Sequence, residues 1–388
     1  MLSQGASPMY VKSNKAGSIV ADFGNMRRVW PSTASARNGV FFTVGVARPF
    51  LPLSEQRLLL YGLEPYNNML KRLMDLTSID ASVNTSGKPF FKDDLGMFIP
   101  AWNAYYYVNG RIYFKIFHSK DLIEFRSVYA DPAGTYGNHF FTDPSSNTIC
   151  IGVGRGWKGE EGIISYTPLS SYVLCSEDGG EHWVKIYELK YPSAIYDGII
   201  IDELMLFTAR EKKSIFVSFN RGKTFNEILL SSPARNVAYY RISRKELIIV
   251  SSNDSFYLSS DGIRFNKVTL NTKGLALRYP TLHLKKIFFS GVGARSWLIA
   301  FDLKTSEVDI YDISSLAGDI SACRLAFYNN MFFIGSELRG KLYIIDPSSM
   351  RKISIKDLVK LHTKSFLNPI LRKLLNQFPK ISSILQIA

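Results

Sequence analysis

The stretch Ser176-Glu-Asp178-Gly-Gly180-Glu-His-Trp183 decides the fold. It lies between two apolar runs, Tyr172–Cys175 and Trp183–Leu189, so it joins two strands. A carboxylate two residues after a serine can accept the backbone N–H groups of the turn that follows, and the serine hydroxyl can do the same. Gly180 supplies a positive φ that a Cβ would resist. Trp183 closes the turn and folds its ring under the hairpin. The pattern recurs as Ser218-Phe-Asn220-Arg-Gly222-Lys-Thr-Phe225. It recurs again, one residue shorter, as Ser259-Ser-Asp261-Gly262-Ile-Arg-Phe265. A fourth copy, Ser119-Lys-Asp121-Leu-Ile-Glu-Phe125, has lost the glycine.

The spacing carries more than any single copy. Trp183 to Phe225 is 42 residues and Phe225 to Phe265 is 40. A four-stranded propeller blade takes roughly 40–45 residues. Short runs of Val, Ile, Phe and Tyr broken by Gly, Asn, Asp and Ser surround each turn, as strands with tight connections require. With 26 Phe and 21 Tyr the chain is rich in residues that suit pleated, half-buried surfaces. Counting by the period places blades near 103–130, 138–190, 193–231, 234–270, 274–312 and 320–356. A further blade is available in 36–100. Ser54–Thr77 reads as a helical interruption there, with Leu58, Leu59, Leu63, Leu70 and Leu73 at helical spacing. The expectation is an all-β, six- or seven-bladed β-propeller over 36–356, preceded by an N-terminal arm, 1–35.

These turns resemble Asp-box, or BNR, repeats, which occur in sialidases, sortilin-type receptors, photosystem assembly factors and many viral and bacterial propellers. The resemblance covers about 110–270. It implies turns on the blade periphery, away from the axial face where ligands bind. Ser119, Asp121, Phe125, Ser176, Asp178, Gly180, Trp183, Ser218, Asn220, Gly222, Phe225, Ser259, Asp261, Gly262 and Phe265 are therefore expected to be structural. Such repeats argue for a fold and say almost nothing of function.

The formal charge is +14, and the ends hold most of it. Residues 1–40 carry a net +4 and residues 351–388 a net +7, which leaves +3 for the body. Basic ends can meet nucleic acid, acidic protein or a membrane surface, or remain solvated. Beyond Ile355 the apolar period lengthens to a helical one. Ser354 with Asp357 resembles a capping box. Asn368-Pro369 offers an N-cap with proline at the first helical position. Ile370, Leu371, Leu374, Leu375 and Phe378 form a stripe, with Arg372 and Lys373 opposite. A short, basic, amphipathic helical tail is expected over 357–388, packed on the propeller, docked on a partner or laid on a membrane surface. No apolar leader core opens the sequence and no run approaches the ~20 residues of a membrane span. The expectation is a soluble protein made in the cytoplasm.

No cofactor or metal is expected. Cys150, Cys175 and Cys323 fit neither a zinc site nor a redox pair and read as small buried hydrophobes. The histidines at 118, 139, 182, 283 and 362 lack ligand spacing. Gly152-Val-Gly154-Arg-Gly156-Trp-Lys-Gly159 has no Walker lysine and reads as part of an inter-strand insertion. Its Arg155, Trp157 and Lys158 could meet a glycan, a nucleic acid or a subunit. Asp93, Asp94, Glu160, Glu161 and Asp197 read as solvated loop charges. Likeness to sialidases implies three arginines on a substrate carboxylate and an early Arg-Ile-Pro segment. Only Arg28-Val-Trp-Pro31 and Arg278-Tyr-Pro280 approach that segment. Three classes of function follow. The first is a non-enzymatic assembly propeller docking through basic termini, such as a nozzle or hub in the tail of a short-tailed phage virion, where a channel could conduct nucleic acid. The second is a glycan- or receptor-binding propeller. The third is a sialidase-like glycosidase.

Overall fold

A computed structural model of the chain describes residues 11–13, 18–22, 28–33, 40–45, 58–64, 69–76, 83–85, 88–103, 114–143, 145–156, 168–189, 191–210, 212–242, 245–253, 255–270, 276–292, 296–317, 322–336 and 340–354. Apart from a four-residue helix at Ser314–Ala317 and short 3-10 turns such as Pro347–Ser349, the regular structure among them is strand.

The described strands fall into seven antiparallel sheets. Six are built from consecutive strands. The first runs Arg28–Thr33, Val40–Gly45, Leu58–Glu64 and Met69–Asp75. In the second, Val83–Thr85 and Phe90–Lys92 both pair with Gly96–Asn103, followed by Phe114–Ser119 and Arg126–Asp131. The third is Gly134–Thr142, Ile149–Arg155, Ser170–Ser176 and Val184–Leu189, and the fourth Ile195–Ile201, Leu204–Ala209, Ser214–Ser218 and Asn226–Leu229. The fifth is Val237–Ile242, Lys245–Ser251, Ser255–Ser259 and Asn266–Thr269. The sixth is Arg278–His283, Lys286–Val292, Ser296–Asp302 and Val308–Asp312, with Arg351–Ile353 added at its edge. The last sheet is composite. Ala322–Tyr328, Met331–Ser336 and Lys341–Ile345 are completed by Ser18–Asp22 and Val11–Ser13 from the other end of the chain.

Each sheet touches the next through its innermost strand, and the composite sheet touches the first. The ring is closed by joining strands from both halves of the chain in one sheet. The fold is a β-propeller.

Burial follows position within a sheet. Middle strands face a neighbouring sheet on both sides, so Ser214–Ser218 is buried at every residue. The outermost strand of the same sheet, Asn226–Leu229, is largely exposed. Between the third and fourth sheets Phe141, Val173 and Cys175 pack on Ile200, Met205, Phe207 and Phe216. Phe207 and Phe216 stack with centroids 5.0 Å apart, and Phe225 meets Phe207 edge-on at 5.1 Å.

Three expectations need correction. Leu58–Glu64 and Met69–Asp75 are paired strands, not a helix. The helical leucine spacing straddles a Pro65–Asn68 turn signal that splits it into two strands. Residues 1–35 hold three strands paired into sheets, because the ring takes its closing strands from this end. Cys150 and Cys175 lie directly opposite each other, with Cα atoms 4.1 Å apart, and are joined in a disulfide. Their sequence separation of 25 hides that register from a spacing rule. The helical tail, with Arg372 and Lys373, lies outside the described residues. No described helix is long and apolar enough to cross a membrane.

Candidate functional site

Antiparallel meanders send alternate connections to opposite faces of the ring. The innermost strands all begin on one face, here the entry face, which also carries the connection between second and third strands. The opposite face carries the inner hairpins and the turns between third and fourth strands.

All four serine–aspartate turns lie on that opposite face. In the copy at 176–183, Ser176 Oγ donates to Asp178 Oδ1 at 2.8 Å. The Glu181 and His182 N–H groups donate to the same oxygen at 3.1 and 2.9 Å. Gly180 N donates to Ser176 Oγ at 2.7 Å, and Trp183 Nε1 to Gly180 O at 3.0 Å. Asn220 and Asp261 make the matching bonds, with Gly222 and Gly262 donating to Ser218 and Ser259. At the copy without glycine, Asp121 accepts from Ser119, Ile123 and Glu124, and Leu122 takes a φ of 64°. Phe125 is buried, whereas Trp183, Phe225 and Phe265 are half-buried. Bonds from backbone N–H groups hold the Asp121, Asp178 and Asp261 carboxyls below their usual range. Asp302 in the sixth sheet accepts from the N–H groups of Lys304 and Thr305 in the same way. It lacks the serine, glycine and aromatic that mark the others.

The other predicted positions separate. Arg155 donates to Asp131 Oδ2 at 3.0 Å through both Nε and Nη2, and sits 4.7 Å from the Tyr172 ring centre. It ties the second sheet to the third. Trp157, Lys158, Glu160 and Glu161 lie outside the described residues. Asp197 is the correction: it is buried, not solvated.

Asn138, His139, Asp197, Asn236 and Arg324 are buried polar side chains on or just before inner strands. Four inner strands carry a register break near the entry face. They fall between Gly137 and Phe140, Ile195 and Asp197, Arg278 and Thr281, and Ala322 and Arg324. In the fifth sheet Arg235 and Asn236 both bond the Ser251 backbone. A bulge re-aims side chains that would otherwise alternate, and here it directs polar groups between neighbouring sheets. Asn138 Nδ2 donates to Ile195 O at 2.8 Å. His139 Nδ1 lies 3.4 Å from Asp197 Oδ2. Asn236 Nδ2 and Val237 N donate to that oxygen at 3.1 Å each, and Gly198 N to Asp197 Oδ1 at 3.0 Å. Tyr279 N donates to Asn236 Oδ1 at 3.2 Å, and Arg324 Nη1 to Tyr279 Oη at 3.1 Å. One hydrogen-bonded chain thus links the third sheet to the composite sheet. Gly152 allows the close approach of sheets three and four, since a Cβ there would stand 2.5 Å from Ile195 O.

Two side chains reach across the ring. Lys88, from the second sheet, donates to Leu325 O of the composite sheet at 3.4 Å, and its Nζ is 4.7 Å from the Tyr279 ring centre. His139 lies 5.9 Å from the same ring. Both side chains thus lie against the Tyr279 ring of the sixth sheet. Burial pulls the Lys88 amine down to about 8, aided by Arg324 and opposed by Asp197. Burial also holds His139 below its usual value, favouring the neutral ring. Nearby, Arg235 donates to Asn253 Oδ1 at 3.1 Å. Burial lowers its pKa, and Arg278 and Arg210 press it the same way. Arg210 stands 5.9 Å from the Tyr196 ring centre. Among the described residues no group of three His, Cys, Asp or Glu could hold a metal ion.

No family model matches the sequence, and no curated protein does. Solved structures share its fold. One is an oligogalacturonate lyase from Vibrio parahaemolyticus, 12% identical with a TM-score of 0.57, over 88% of this chain and 97% of that one. Another is a streptogramin B lyase, 13% identical with a TM-score of 0.56, over 87% and 98%. A third is YCF48 from Cyanidioschyzon merolae, 9% identical with a TM-score of 0.50, over 84% and 97%. YCF48 is also solved bound to a D1 peptide. At such identities the likeness shows a β-propeller and nothing of its chemistry.

Proposed function

We propose that the chain is a non-catalytic binding propeller for assembly, which docks acidic segments of partner proteins on its entry face. The observation that carries this is the convergence of Arg235, Arg278 and Arg210 around Tyr196 and Tyr279. Like charges forced together and partly desolvated are best relieved by an anionic partner. A propeller that binds a peptide has a precedent in YCF48. The net +7 of residues 351–388 and +4 of residues 1–40 would add long-range attraction. A tail nozzle or hub would be one setting for such docking. The test is a selection of displayed random peptides on the wild type, counter-selected on Arg235→Ala. Enrichment of Asp and Glu that is lost on the variant supports the proposal. Enrichment without acidic residues would sink it.

The same arginines, with Tyr279 and Asp197 beside them, favour a second reading: a glycosidase for acidic sugars. Asp197 already accepts three N–H bonds and faces His139, which ties it down as a proton carrier. Release of methylumbelliferone from a fluorogenic sialoside, lost in Tyr279→Phe, would favour this reading over docking.

A further inference from the structure

Docking on the entry face leaves the opposite face without a role. The fourth, fifth and sixth sheets each present an exposed apolar side chain there: Phe219 and Ile263 in turns between third and fourth strands, and Leu284 at an inner hairpin. Leu284 is 80% exposed and has φ 45°, and Lys285 beside it has φ 65°. His283 pairs with Lys286, so these two residues are the whole loop. Two-residue loops with positive φ favour Asn and Gly. The composite sheet follows that rule at its own inner hairpin, where Asn329 and Asn330 take φ 48° and 59°. Leucine at such a position is strained by its Cβ and left in water. A residue set against both preferences stands to gain from a contact outside the chain.

Cations flank each of these tips. Arg221 and Lys223 follow Phe219, Arg264 follows Ile263 and Lys285 follows Leu284, and all four are exposed. Among the described residues Lys223, Arg264 and Lys285 form no ion pair, and the Arg221 guanidinium reaches only Asp143, at 3.9 Å. The Asp261 carboxylate is turned back on the N–H groups of Ile263 and Arg264. Asp202 and Glu203, exposed on the fourth sheet's inner hairpin, oppose these cations, so the basic area centres on the fifth and sixth sheets. On the second and third sheets Lys120 and Arg126 are drawn to Glu181 instead. The strand Arg351–Ile353 lies antiparallel to Val308–Asp312 and so runs toward this same face. The basic end of the chain therefore sets out from there.

We propose that this face rests on an anionic lipid bilayer. Phe219, Ile263 and Leu284 enter the boundary between headgroups and acyl chains, and the four cations meet lipid phosphates and carboxylates. Lysine and arginine stems lie along the apolar layer and keep their charges at the headgroups. The bilayer takes Leu284 out of water, and the entry face is left turned toward partners.

The test is flotation of the full-length protein with vesicles of phosphatidylcholine, alone or mixed equally with phosphatidylserine. Wild type should float with the mixed vesicles only, and less as salt is raised. Phe219→Ser, Ile263→Ser and Leu284→Asn together should weaken that binding about tenfold or more. Leu284→Asn alone separates a lipid contact from a structural one: it should raise the urea midpoint, because Asn suits the positive φ, and still weaken binding. A wild type that ignores the mixed vesicles overturns the inference. So does a triple variant that floats as well as wild type, which would leave the attraction to the basic ends alone. A dimer in light scattering that the triple variant loses would make the occupant a second copy of the chain, and overturns it too.

Discussion

Replacing Gly180 with alanine tests the turn at 176–183 where its chemistry is tightest. Gly180 has φ +95°, and a Cβ built on it would lie 2.4 Å from Cε1 and 2.8 Å from Cζ of Phe98. Phe98 cannot yield. It is fully buried, stacks on His118 with centroids 4.2 Å apart and meets Trp183 edge-on. An L-residue at positive φ costs roughly 1–2 kcal/mol, and overpacking a close-packed site roughly 1–3 kcal/mol. Gly180→Ala should therefore lose about 4 kcal/mol. Gly179 is the internal control. Its φ is +74°, and its Cβ would meet only Leu95 Cδ2, at 3.0 Å. That methyl can move, so Gly179→Ala should lose only about 1–2 kcal/mol of backbone strain. Urea unfolding of both variants, with unchanged dependence on denaturant, measures the difference. Equal losses, or a Gly180→Ala protein within about 1 kcal/mol of wild type, would refute the assignment of strain and contact.

Other outcomes follow from the same geometry. The carboxyls of Asp121, Asp178 and Asp261 lie below the unfolded value, so their stabilisation is full above about pH 4 and fades as pH falls through the folded values. Changing all three to Asn, the residue already at 220, should flatten acid unfolding, and an unchanged acid midpoint would count against the turns. Lys88 has the opposite sign. Its folded pKa of about 8 lies below the unfolded 10.5, so the unfolded chain holds more protons between those values and stability rises with pH across that window. Lys88→Met should remove that rise, worth at most about 3 kcal/mol; a rise that persists would assign it to another group. Reducing the Cys150–Cys175 bond frees a 25-residue loop and should cost roughly 3 kcal/mol. A melting curve indifferent to dithiothreitol would show that the bond does not form.

The ring was legible because its turns are local. Ser176, Asp178, Gly180 and Trp183 sit within eight residues, so one reading frame holds their whole chemistry. From the third sheet on, the sheets begin and end close to where the 40-residue step placed them, but the first ends at Asp75 instead of near 100 and the second begins at Val83 instead of near 103. What stayed hidden depends on register between distant strands. Asp197 looked like a loop charge because its partners, His139, Asn236 and Val237, belong to the two sheets on either side of its own. The bulges that aim these groups inward leave no mark on composition. Lys88 and Leu325 are 237 residues apart and meet only because the ring closes. A signal was present in Arg278-Tyr-Pro280, though not for the reason it was noted: Tyr279 and Pro280 form the sixth sheet's bulge, and Arg278 stands beside Arg235. The Cys150–Cys175 pair was missed because cross-strand facing has no fixed sequence separation.

Hydrogen exchange with and without the selected acidic peptide tests the docking account most directly. Protection should gather on the entry face, at Tyr196, at Arg235 and Asn236, and at Arg278 and Tyr279, and should vanish in Arg235→Ala. Protection at the turns around Asp178, Asn220 and Asp261, or protection that survives the Arg235 substitution, would contradict it.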